Sequence, residues 1–398
     1  MLIGLVGKPS AGKSTFFKAS TLAETAIASY PFTTLKSQEG VAYVKVDCVD
    51  SFFNTQCNPR FGFCLNHKRF VPIKLMDVPG LIEGSHTGAG MGLDFLNDIR
   101  EADVLIHVID ISGSTNAKGE SVPALTHDPS EDIQFLDYEL NMWYYQILKK
   151  GWDKFARQVK QEKASIIKAL HKQLSGLKVT EYHVEGSIKS LKLNIESPEL
   201  WSDKELMNLA TELRHKSKPT IIAANKIDIK NSEKNLEKIK KDFPNYKIIP
   251  CSTDSELALR ECLKKELIKY IPGDNKFEIT TKDLNETQKA ALNFIQKEVL
   301  DKYNSTGIQD LLNEAIFNLL NYIAVFPGGM NNLKDKDGNV LPDCLLLPNG
   351  STALDFAFKI HTDIGNNFIK AFDVKKRIVI GKEHILKNLD VIEIATRK

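Results

Sequence analysis

Gly7, Lys8, Pro9, Ser10, Ala11, Gly12, Lys13 and Ser14 spell G-x-x-x-x-G-K-S, directly after the apolar run at 2–6. This spacing suits the grip of a nucleoside polyphosphate. Gly7 and Gly12 let the backbone turn its N–H groups toward phosphate oxygens. Lys13 reaches the β- and γ-phosphates, and the Ser14 hydroxyl ligates Mg²⁺. A helix that opens near Ser14, with Thr15 in its first turn, adds a positive end. A second strand candidate at 71–76 ends in Asp77, Val78, Pro79 and Gly80. An acidic residue at that strand end is placed to hold Mg²⁺, and Gly80 to offer a backbone N–H to the γ-phosphate.

A third set of residues chooses the base. The apolar run at 219–224 leads into Asn225, Lys226, Ile227 and Asp228. A carboxylate only accepts hydrogen bonds, and guanine offers N1–H and the exocyclic amine side by side. Adenine presents a bare acceptor at N1. A site built around such donors rejects an analogue lacking them by up to about 10⁴-fold. Asn225 is placed to brace the loops and the Lys226 stem to cover the base. Cys251, Ser252 and Thr253 follow a strand candidate at 246–250, as a base-capping loop with a backbone N–H for guanine O6. Between the first two motifs, Thr33 and Thr34 sit in a segment suited to close over Mg²⁺ and γ-phosphate.

The elements that must position these residues read as an α/β core. The run at 104–110 is almost continuously apolar, as in a parallel strand covered on both faces, and its His107 reads as a core or strand-end residue. Residues 116–215 are far more than one crossover helix needs. Leu136, Leu140, Trp143 and Ile147 recur at helical spacing, as do Ile166, Leu170, Leu174 and Leu177. Nine Lys or Arg lie between Lys149 and Lys178 against only Asp153 and Glu162. Net charge over the whole chain is only +2, so this local excess is the candidate RNA-contact surface. A solvated helix face is the plainer alternative. Residues 283–320 again read as helical. Beyond 321 come strands near 344–347, 368–373 and 389–394, with a helix opened by Thr352 and Asp355. That arrangement suggests a β-grasp module.

Composition restricts the rest. No run is long and apolar enough to cross a membrane, so no membrane partner is expected. The six scattered cysteines suit a reduced, cytoplasmic compartment. Cys57, Cys64 and His67 form C-x6-C-x2-H, which fits no common zinc pattern and lacks a fourth ligand nearby, so they read as buried or loop residues.

On GKPSAGKST at 7–15, YPFTT at 30–34, the run 58–115, NKID at 225–228 and the segment 340–398, the chain resembles the Obg-related YchF family of translation-factor-class P-loop GTPases, in its archaeal form. The resemblance covers essentially the whole chain. It implies a GTPase domain (1–115 and 216–275) with a mostly parallel sheet, a helical hairpin insertion (116–215), a helical connecting segment (276–320) and a TGS-like β-grasp domain (321–398). It further implies slow Mg²⁺-dependent GTP hydrolysis, ribosome or rRNA association, and Thr34 as the switch threonine holding Mg²⁺ with Ser14 and Asp77. Lys13 and Thr34 would be the catalytic residues. Leu81 stands where Ras-like GTPases carry the glutamine that orients water, so turnover should be slow. His86, in the Gly-rich segment 84–92, reads as a loop histidine. Ser10 stands where many relatives carry an asparagine that supports a monovalent cation, which counts against potassium. The resemblance also carries a split over nucleotide, in which the family's eukaryotic members look like ATPases that have lost N-K-x-D. GTP is therefore favoured here, with ATP or dual use as one alternative and an RNA- or ribosome-binding adaptor with structural nucleotide as another. A monomer is expected.

Overall fold

The computed structural model describes residues 1–21, 38–79, 92–281 and 284–397, with the side chains of 92–94 set aside. The chain divides into two compact units, Met1–Ala19 with Leu75–Leu311 and Ser20–Lys74 with Leu312–Lys398.

In the first unit the strands Leu2–Val6, Val104–Asp110, Thr220–Asn225 and Ile248–Pro250 lie side by side in that order, all parallel. Every residue of Leu2–Val6 and Val104–Asp110 is buried, which is why both read as unbroken apolar runs. The chain leaving Asp77 joins the far side of the first strand, where Val78 N–H donates to Leu5 O at 3.1 Å. Parallel strands end at the same edge, so the turns after Val6 and Asn225 share that edge, and the Val78–Leu5 and Ser14–Asp77 hydrogen bonds bring Asp77 beside them.

The insertion between Asp110 and Thr220 carries five α-helices among the described residues. The long first and last, Pro129–Lys149 and Asp203–Ser217, pack together, with Trp152–Gln161, Ile166–Leu174 and Glu181–Leu191 between them. The hairpin expected from resemblance is thus two long helices with three short ones added. Their helical-spaced apolar residues, Leu136, Leu140, Trp143, Leu170 and Leu174 among them, join one core with Leu206, Leu209 and Leu213. Buried Arg214 ties the long pair: it donates to Asp137 Oδ1 at 2.7 Å and Asn141 Oδ1 at 2.9 Å. Asp128 caps the first helix at Ser130 N–H, and Ser202 with Glu205 forms a capping box on the last.

The second unit holds the strand Glu39–Asp47 and an antiparallel hairpin of Phe63–Leu65 with the start of Lys68–Asp77. It also holds a five-stranded mixed sheet in the order Leu345–Pro348, Tyr322–Pro327, Val391–Thr396, Phe368–Asp373, Ile378–Ile380. The helix Ala353–Ile360 packs Ala353 and Phe356 against this sheet, and Thr352 and Asp355 form the anticipated capping box. The β-grasp arrangement follows. The grouping of Ser20–Lys74 with the C-terminal module, rather than with the rest of 1–115, is visible only in three dimensions.

Candidate nucleotide site

The loop after Val6 is shaped by two glycines. Gly7 has φ +146°, and a Cβ there would lie 2.2 Å from Val108 O. Gly12 has φ +103°, and a Cβ would lie 2.1 Å from Asn225 Nδ2. No L side chain fits either place. The helix Lys13–Thr21 then begins, its first turn closed by Phe16 N–H donating to Gly12 O.

Lys13 curls back over the loop and donates to Gly7 O at 2.8 Å and Lys8 O at 3.0 Å. Burial lowers its pKa, opposed by the charge of Asp77. A phosphate group arriving in the loop would replace those carbonyls as its partner. Exposed Ser14 donates to Asp77 Oδ2 at 2.9 Å. The other oxygen, Oδ1, is buried and has no hydrogen-bond partner among the described residues. A hydroxyl facing a carboxylate with an orphaned oxygen is the donor chemistry Mg²⁺ takes, directly or through water, so these residues fit the ion. Thr34 and Gly80, and likewise Thr33, Leu81 and His86, lie outside the described residues.

Asn225 unites two loops. Its Nδ2 donates to Ala11 O at 2.8 Å, and its Oδ1 accepts from Thr253 N–H at 3.0 Å. Lys226 adopts φ +64° and pairs through Nζ with Asp110 Oδ2 at 2.9 Å. Asp228 is half-buried, and its carboxylate accepts no hydrogen bond from any described residue. Beside it, burial and the charge of Asp228 raise the pKa of Asp254.

One expectation is altered. The N–H groups of Cys251, Ser252 and Thr253 all serve the protein itself, donating to Ala224 O, Thr306 O and Asn225 Oδ1. A guanine O6 would need Thr253 N–H released, or a donor further along the turn. Ser252 instead caps the helix Thr253–Lys264 through Ser255 N–H.

Lys8 also differs from a phosphate ligand. Its side chain is buried away from the loop mouth, donating to Thr115 O at 2.7 Å and pairing with Asp132 Oδ2 at 2.9 Å. Asp132 accepts as well from His127 Nε2 at 2.9 Å. Ser10 is exposed at φ +60°, and Pro9 is exposed beside it. A cavity of about 640 Å³ adjoins this end of the loop, lined by Gly7, Lys8, Pro9, His107, Asp132 and Phe135 among others.

Sequence reasoning missed Asp110 and Asp132. Asp110 is fully buried and accepts from Ser112 N–H and Oγ, Ser114 Oγ, Thr115 Oγ1 and Lys226 Nζ. Burial opposes its ionisation, but the bonds from Ser112, Lys226 and Thr115 outweigh it and hold the carboxyl below the usual range. The signal was present: an acidic strand end followed by Ser112, Ser114 and Thr115. His107 is buried as expected, and desolvation pushes its pKa down to about 4.

The comparisons with known proteins agree with this geometry. Residues 2–146 match the model of the 50S ribosome-binding GTPase family. Residues 223–328 match the Obg-like GTPase YGR210-like, G4 motif-containing domain, and 333–396 the TGS domain. An uncharacterized GTP-binding protein of Methanocaldococcus jannaschii is 46% identical over 99% of both chains. The ribosome-binding ATPase YchF of Buchnera aphidicola is 26% identical over 94% of this chain and 88% of its own. The crystal structure of a GTP-binding protein from Pyrococcus horikoshii superposes with a TM-score of 0.79 at 36% identity, covering 100% of each chain. With its phosphate loop, its N-K-x-D turn and its TGS domain, the chain belongs to the Obg-like/YchF family of P-loop GTPases.

Proposed function

We propose that this protein is a slow, Mg²⁺-dependent GTPase that acts as a ribosome-associated switch. One observation supports the choice of nucleotide: Asn225 locks the phosphate loop to the base loop, and beside it Asp228 presents a carboxylate with no donor among the described residues. That carboxylate favours a ligand edge carrying two adjacent N–H groups, which guanine has and adenine lacks.

Lys13 and the loop N–H groups then hold the phosphates and stabilise the charge that builds on them during transfer to water, giving GDP and phosphate. Mg²⁺, when bound, would be held by Ser14 and Asp77, with Thr34 as a further ligand, and would neutralise phosphate charge. The leucine at position 81 neither donates nor accepts, so it does not orient the attacking water and basal turnover stays low. Ribosome association is supported by the name of the Buchnera relative, by the TGS match and by the basic insertion.

Calorimetry of GTP against ATP, with the wild type and Asp228→Asn, tests the base. GTP should bind more tightly than ATP, and the variant should lose GTP affinity and gain xanthosine triphosphate. Equal or tighter ATP binding overturns the GTP assignment. Phosphate release with and without ribosomes tests the switch: release should rise on ribosomes, and none under either condition leaves nucleotide as a structural ligand.

A further inference from the structure

A second candidate centre lies in the second unit. Cys48 opens the short helical turn Val49–Phe53, which contains Asp50. Cys57 follows in the next loop, and Cys64 sits in the strand Phe63–Leu65. One ligand atom from each of these four residues lies within 4.8 Å of every other. Cys48 Sγ and Cys57 Sγ are 3.5 Å apart, and Cys64 Sγ is 3.8 Å from Asp50 Oδ2.

We propose that Cys48, Cys57, Cys64 and Asp50 form a structural zinc site. Four donors on the corners of a tetrahedron around Zn²⁺, with Zn–S near 2.3 Å, place neighbouring sulfurs about 3.8 Å apart. The Cys48–Cys57 spacing is close to that, and all four donors lie within 4.8 Å of one another. Three thiols and a carboxylate also suit zinc better than magnesium or calcium, which take oxygen ligands.

Burial argues against a plain core. Cys48, Cys57 and Asp50 are 2%, 4% and 0% exposed. A fully buried carboxylate among thiols is costly unless it is matched by positive charge. Part of that charge is present. The Arg69 guanidinium, 1% exposed, lies 3.6 Å from Cys57 Sγ. His67 Nδ1 sits 2.9 Å from Asp50 Oδ1, while Cys57 N–H donates to Oδ2 at 3.0 Å. The His67 contact holds the carboxylate's orientation from outside the cluster, as outer partners do around metal ligands, and the Cys57 backbone holds it from within. A divalent cation at the centre would offset two of the negative charges of the three thiolates and the carboxylate, and the Arg69 guanidinium a third.

The site would staple a loop to the C-terminal module within the same unit. Directly after Cys57, Asn58 N–H donates to Val340 O at 2.8 Å and Arg60 N–H to Pro342 O at 2.9 Å. Arg69 itself donates to Leu341 O and Pro342 O. Fixing Cys57 against Cys48 and Cys64 fixes this seam.

Elemental analysis of the full chain, purified reduced and with zinc in the medium, tests the site. About one zinc per chain is expected, as for a closed four-ligand centre. Replacement by Co²⁺ should give the visible bands of a tetrahedral ion with sulfur-to-cobalt charge transfer. Cys57→Ser and Cys64→Ser should lose the metal, whereas Cys262→Ser and Cys344→Ser should keep it. Should the first two variants not fold, the cobalt spectrum of the wild type decides. Background zinc in the wild type, a Cys48–Cys57 disulfide by mass spectrometry, a cobalt spectrum without thiolate charge transfer, or zinc retained in folded Cys57→Ser and Cys64→Ser each overturns the proposal.

Discussion

The Lys8 ammonium and the Asp132 carboxylate lie 2.9 Å apart with side chains 5% and 7% exposed. Lys8 belongs to the phosphate loop and Asp132 to the first turn of the helix Pro129–Lys149. The pair therefore ties the helical insertion to the start of the nucleotide site. Removing one partner of a buried pair leaves an uncompensated charge and costs about 3–5 kcal/mol, whereas replacing both by apolar residues costs far less. Asp132→Ala should lower stability by about that amount. Lys8→Met with Asp132→Leu should recover most of it. Urea unfolding of the three proteins checks this, and a single variant as stable as wild type would show the pair to be unimportant.

Asn225 makes a second tie, between Ala11 O and Thr253 N–H. Two buried hydrogen bonds contribute roughly 1 kcal/mol each, so Asn225→Ala should weaken GTP binding about 10- to 100-fold. Gly12→Ala should do more, because its methyl would press on Asn225 Nδ2 at 2.1 Å while the backbone is held at φ +103°. Fluorescent-nucleotide titration ranks the two, and an unimpaired Gly12→Ala would contradict the loop geometry.

His107 adds a pH dependence. Burial lowers its pKa from 6.5 to about 4 in the folded protein. The unfolded chain then binds the extra proton, so this residue contributes stability above pH 6.5, which is lost as pH falls from there through 4. The full loss is on the order of 3 kcal/mol at about 1.4 kcal/mol per unit. The difference in unfolding free energy between wild type and His107→Gln, followed from pH 7.5 to 4.5, should shrink as acid is added. A constant difference would show that the imidazole titrates normally.

Charge on the insertion is partly committed within the protein. Lys149, Lys160 and Lys178 pair with Asp203, Glu199 and Asp103. Lys154, Arg157 and Lys168 are exposed and make no ion pair among the described residues. Replacing these three by alanine should reduce ribosome co-sedimentation and flatten its salt dependence, because phosphate contacts release counterions. Unchanged binding would make this a solvated face.

The local motifs determined much on their own. A Gly-rich turn between a strand and a helix is suited to phosphate, so 7–14 points to nucleotide chemistry, and 225–228 carries the proposal of guanine, from residue types and spacing alone. Period and capping chemistry are equally local, which is why Val104–Asp110 and the helix opened by Thr352 stand where the sequence placed them. The tertiary structure decided what depends on distant partners. It turned Lys8 away from phosphate to Asp132, enclosed Asp110 in hydroxyls and Lys226, and engaged the N–H groups of Cys251, Ser252 and Thr253. It also brought Cys48 and Asp50 to Cys57 and Cys64 across a turn, a loop and a strand. Side-chain chemistry is written in residue types, but which neighbour compensates a buried charge is set by packing, and no spacing rule contains that.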